Sequence, residues 1–273
     1  MAGQQLDLFA SDRIFVEKPV IHEEPPFCAA ELADAELIAA LPDAALATAP
    51  RMAAEAVSRR LIDAVPALER LCRRLTGFGA HRVVPEQAAA LNALMAIGGV
   101  AARQAVVRLV ADRIVQGPTL AIALSAAARL GASLPPPRLT ELLRDADPSI
   151  RAGACRCVRS VAPHLGLLSE LLDDLRADVA SAAAIALGRL GRVEARLPLM
   201  ALLRTQPSTE VIEALAPIAD DEVIVAFSRI ARVMPDLAGA ALDALDELDH
   251  PRAASLALTL RAHPFAPGNH APA

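Results

Sequence analysis

Apolar side chains recur at helical spacing along most of this chain. After Arg176, the residues Val179, Ala183, Ala186, Leu187 and Leu190 fall three and four positions apart and line one face of a helix. Leu139, Leu142 and Leu143 form a shorter stripe before Pro148, and Leu197, Met200 and Leu203 form another before Pro207. Between Glu31 and Arg261 the sequence is rich in alanine, leucine and arginine, all good helix formers, and proline and glycine stand between the blocks. The pattern predicts an all-helical body with no strands.

The breakers keep a regular beat. Prolines placed to open a helix occur at Pro85, Pro118, Pro148, Pro207 and Pro235, and Ala177 fills the one vacant slot, so the repeat is about 30 residues long. Proline in a first helical turn sacrifices no internal hydrogen bond, and Asp147 ahead of Pro148 can cap the free amides there. Gly98, Gly131 and Gly191 stand near helix ends, where a left-handed residue is needed. One helical pair cannot bury both sides of its stripe, so neighbouring pairs must stack into a continuous core.

A known family is similar at this level of detail. The run from Leu139 through Asp147, Pro148, Ile150 and Arg151 to Ala154 resembles a HEAT-like repeat of the short phycobilisome-lyase type, and Ala182 to Gly191 resembles the ending of its second helix. The resemblance implies an all-α, right-handed α-solenoid of about six helical-pair repeats. It covers residues 85–250 well and residues 30–84 loosely. The expected organisation is a disordered or extended N-terminal arm at 1–28, the solenoid at 29–262 and a disordered C-terminal tail at 263–273.

Composition narrows the chemistry. The chain has 273 residues, 54% of them hydrophobic, but only six Phe and no Trp or Tyr, so aromatic pockets and base-stacking platforms are nearly excluded. Lys18 is the single lysine, leaving almost no candidate for Schiff-base or phosphate-cradling chemistry. No P-loop, Gly-x-Gly-x-x-Gly or Gly-x-Ser-x-Gly motif occurs. Cys155 and Cys157, two residues apart on a helix, point about 200° from each other and read as core thiols rather than metal ligands. His164 and the other five histidines stand singly and read as surface or capping residues. Asp145, Asp147, Asp220, Asp221 and Glu222 read as caps and solvated junction residues. The expectation is a protein without catalytic residues, metal or cofactor. The absence of an opening signal pattern and of a long apolar run predicts a cytoplasmic protein with no membrane partner.

Charge is segregated. Residues 1–50 carry two basic against nine acidic side chains, residues 51–113 ten against five, and residues 205–250 two against ten. In the basic stretch, Arg70, Arg73 and Arg74 share a helical face and are candidates for nonspecific phosphate contacts with DNA. The ordinary reading of such arginines is a solvated helix face.

The most specific signal lies near the N-terminus. Gln5-Leu6-Asp7-Leu8-Phe9 resembles the pentapeptide by which bacterial replication and repair proteins dock on the sliding clamp, the beta subunit of DNA polymerase III, and all five positions match. The glutamine amide would fix register while the leucine and phenylalanine side chains fill an apolar cleft. Residues 10–28 would then be a tether spanning at most about 65 Å. The competing reading packs Leu6, Leu8 and Phe9 as a short lid on the first helical pair, and Ile14-Phe15-Val16 fits such packing better. These observations predict a non-enzymatic adaptor that docks on the clamp and offers its solenoid to a second protein or to DNA. The alternatives are a generic scaffold with a self-packing tail and a lyase or chaperone for a cofactor-bearing protein.

Overall fold

The computed structural model describes residues 28–160 and 163–262. Among them the regular structure is entirely helical. Seven helical pairs follow one another: α1 (Asp34–Ala40) with α2 (Ala49–Ser58), α3 (Val65–Arg74) with α4 (Pro85–Ile97), α5 (Gly99–Ala111) with α6 (Gly117–Arg129), and α7 (Pro136–Leu143) with α8 (Pro148–Cys157). They continue with α9 (Leu165–Leu171) and α10 (Ala177–Arg189), α11 (Arg196–Thr205) and α12 (Thr209–Leu215), then α13 (Asp221–Val233) and α14 (Pro235–Glu247). A final helix, α15 (Pro251–Ala262), packs on α13 and α14.

The period read from proline spacing is the period of the second helices. Pro85, Pro148 and Pro235 open α4, α8 and α14, Pro118 lies in the first turn of α6, and Ala177 begins α10. These helices with α12 make the six expected repeats, and α1 and α2 add a seventh pair in the loosely matching segment. Gly98, Gly131 and Gly191 have φ of 71°, 62° and 71°, a conformation that costs a residue with a Cβ about 1 kcal/mol or more. Pro207 is a correction: it lies ahead of α12, whose cap is Ser208, its hydroxyl accepting the Val211 amide at 3.3 Å. Asp147 caps α8 as expected, accepting the Ser149 amide at 2.8 Å.

The second helices pack broadly on one another in an unbroken row from α2 to α14, whereas the first helices touch broadly only between α3 and α5 and between α13 and α15. The closer row is the inner side of a curved stack, an α-solenoid. Helix α10, in mid-row, is buried on nearly every side from Ala182 to Gly188, so its apolar surface is wider than the predicted stripe. The Leu139, Leu142, Leu143 stripe is buried as expected. That of α11 is shifted: Leu197 is 73% exposed, and Leu199 joins Met200 and Leu203 in the core. No helix of the described residues is long and apolar enough to cross a membrane.

Candidate interaction surfaces

The end of α3 does not present its three arginines as one free face. Arg73 Nη2 donates to Glu69 at 3.0 Å and to Asp112 at 2.7 Å, tying α3 to the end of α5. Arg74 turns the other way and donates to the Ala44 carbonyl between α1 and α2. Arg70 is exposed and forms no ion pair among the described residues. Of the predicted phosphate-contacting set, two members hold neighbouring repeats together.

Glu69 is the centre of that arrangement and was not singled out from the sequence. Its side chain is 12% exposed, and Arg108 of α5 grips both oxygens, at 3.0 and 2.6 Å. Burial pushes its carboxyl pKa up, but the hydrogen bonds from Arg108 and Arg73 outweigh burial and hold it below the ordinary carboxylate value. Because the folded-state pKa is depressed, the ionised form favours folding; that contribution is present above about pH 4.5 and is lost as pH falls through the folded value. Glu69→Gln is therefore expected to cost about 1.5–3 kcal/mol at pH 7. In urea titrations the difference from the unaltered chain should shrink below pH 4; a constant difference at every pH would contradict the assignment.

Similar arginine clasps recur within the first pair and between later ones. Arg59 donates to Asp34 at 2.8 Å and to the Leu32 and Ala30 carbonyls. Arg151 donates to the Asp145 and Ala146 carbonyls of its own turn and holds Asp174 of the next at 2.8 Å. The Arg176 amide lowers the pKa of Asp174 against the cost of burial, and Arg151 adds to that effect. Asp220 caps α13 through the Glu222 and Val223 amides and also meets Arg196 at 2.6 Å. Asp220 is a cap, as its position at a helix junction suggested; Asp34 and Asp174 join it as structural acids.

Three of the four thiols are unreactive core groups. Cys72, Cys155 and Cys157 are buried, and burial pushes each pKa up to about 12, so all three are neutral at physiological pH. Among the described residues no group of three His, Cys, Asp or Glu side chains is placed to hold a metal ion. His164 departs from the surface reading: it is buried at the N-cap position of α9, with Nε2 at 3.3 Å from the Pro136 carbonyl.

Two clefts open between corresponding helices of the last two pairs. On the outer side, Met200, Leu203, Val225, Ile230, Val233 and Met234 line a mainly apolar groove of about 480 Å³ between α11 and α13. On the inner side, α12 and α14 flank a cleft of about 530 Å³ with an acidic rim. Residues 135–219, just under a third of the chain and the segment from α7 into the turn after α12, match the family model described as HEAT repeats. That part of the array, α7 to α12, is similar to HEAT repeats. No curated protein matches the chain. The two helix-flanked clefts are concave surfaces large enough to receive side chains of another molecule. The pentapeptide Gln5 to Phe9, which resembles a clamp-binding motif, lies outside the described residues.

Proposed function

We propose that this protein is a non-enzymatic adaptor that docks on the bacterial sliding clamp through Gln5-Leu6-Asp7-Leu8-Phe9 and holds a second protein on its HEAT-like array. The observation that carries the clamp assignment is the match at all five positions, 25 residues ahead of α1 at Asp34, the first α-helix of the described residues. Residues 10–28 leave the spacing that lets a ring and a rod be joined without collision. A protein cargo is favoured over DNA because Arg73 and Arg74 are engaged with Glu69, Asp112 and the Ala44 carbonyl, leaving Arg70 alone of the predicted phosphate-contacting trio. The buried, neutral thiols of Cys155 and Cys157 and the capping and pairing roles of Asp174 and Asp220 favour the adaptor over the lyase reading.

Burying Leu8 and Phe9 contributes about 1.5–3 kcal/mol each before the cost of ordering a linear segment. In a titration of purified clamp, the full chain is expected to bind reversibly, and Leu8→Ala with Phe9→Ala to weaken binding at least about tenfold while leaving the helical circular-dichroism signal unchanged. Equal binding by the two proteins, or binding by neither, would refute clamp docking and leave a scaffold with a self-packing tail.

A further inference from the structure

The inner cleft between α12 and α14 combines an apolar floor with a rim of one charge. Thr209, Ile212 and Ala216 follow helical spacing into the turn after α12, and Ala240 and Ala244 do so on the facing side of α14. The small side chains leave the space that larger residues would fill. Ile212 and Ala244 are buried, and Leu248 closes one end half-buried. Around this floor stand Glu213, Asp243, Glu247 and Asp249, all exposed, and no basic residue lines the cleft.

Glu213 is neutralised by Arg189 at 3.1 Å, but Asp243, Glu247 and Asp249 form no ion pair among the described residues. Arg261, whose field reaches Asp243, is already paired with Asp246. Three like charges beside one apolar trough repel one another and raise the energy of the empty surface, a cost that a cationic occupant would relieve. The chain itself supplies no such occupant: residues 1–27 hold Arg13 and Lys18 against five acids, and residues 263–273 hold no arginine or lysine. We infer that the α12–α14 cleft is a docking site for a basic amphipathic helix of a partner protein, aliphatic side chains seated over Ala216, Ala240 and Leu248 and cations on Asp243, Glu247 and Asp249. This reading does not depend on clamp docking, since the cleft is lined only by α12, α14 and the turns that follow them.

The test is fluorescence anisotropy of the full-length protein with a labelled amphipathic peptide, roughly two to four helical turns of leucine and lysine at helical spacing. A second peptide carries glutamate in place of lysine. The lysine peptide is expected to bind, with affinity falling as salt rises, and the glutamate peptide not to bind. Asp243→Asn, Glu247→Gln and Asp249→Asn together should weaken binding at least about tenfold without lowering the melting temperature, because none of the three is in an ion pair. Ala240→Trp, which fills the cleft without changing charge, should block binding. Glu170→Gln, Asp173→Asn and Asp178→Asn, which remove equal charge from exposed positions of α9 and α10 and the turn between them, should not. Equal loss in that control set, full binding by the Ala240→Trp variant, or equal binding of the glutamate peptide would overturn the assignment. Self-association that the three-carboxylate variant abolishes would give the cleft to a second copy of this chain, and also overturn it.

Discussion

Replacing Phe227 with alanine is expected to destabilise the C-terminal end of the array by about 3–5 kcal/mol, towards the upper part of that range. Phe227 is the largest fully buried side chain among the described residues, and it lies on α13, which packs against α14 and α15. Truncation removes the transfer free energy of the phenyl ring and leaves a void. Many of the core side chains here are alanines, too short to swing into that void, so little of the lost contact can be recovered. In a stack whose repeats touch only their neighbours, the damage stays local. The measurement is a thermal or urea unfolding curve: the variant should show an early transition for α13–α15 ahead of the rest, where the unaltered chain unfolds later. Phe227→Leu, closer in volume, should cost less than about 1.5 kcal/mol. A single unshifted transition in Phe227→Ala would mean the ring does not support these helices.

The second large effect is expected at Gly188, where α10 meets α12. A Cβ added there would overlap the carbonyl oxygen of Ala214 and lie 2.5 Å from Leu199 Cδ1. The leucine can rotate away, but the carbonyl belongs to the backbone of α12 and moves only if that helix is displaced. Gly188→Ala gains about 1 kcal/mol of helix propensity, and the forced separation of two close-packed helices costs more, giving a net loss of about 1–3 kcal/mol. Gly239→Ala is the matched comparison, since nothing lies within 4 Å of the Cβ it would add on α14, and it should stabilise by up to about 1 kcal/mol. If Gly188→Ala proved as stable as Gly239→Ala, the close approach of α10 and α12 would not constrain the array.

The repeat was legible because its punctuation is local chemistry. Proline in a first turn and a left-handed glycine after a last turn mark helix ends whatever lies beyond them, and Pro85, Pro148, Gly131 and Gly191 do so here. Facing was less legible. In α11 the apolar residues Leu197, Leu199, Met200, Leu202 and Leu203 support more than one stripe, and the outward turn of Leu197 follows from where α10 and α12 stand. The arginines were misread as one face for a related reason. Arg73 and Arg108 find Asp112 and Glu69 across 39 residues, one repeat away, and helical spacing within α3 carries no trace of that pairing.

The order of amino acids alone settles that this chain is helical, that its helices come in pairs about 30 residues apart and that a clamp-binding-like pentapeptide precedes them, because each of these depends on neighbours within a few positions. Tertiary structure decided which charges are consumed and which are left over. Ion pairing is a matter of distance in space, so Glu69 became a clasp between α3 and α5, while Asp243, Glu247 and Asp249 were gathered around one trough with no ion-pair partner among the described residues.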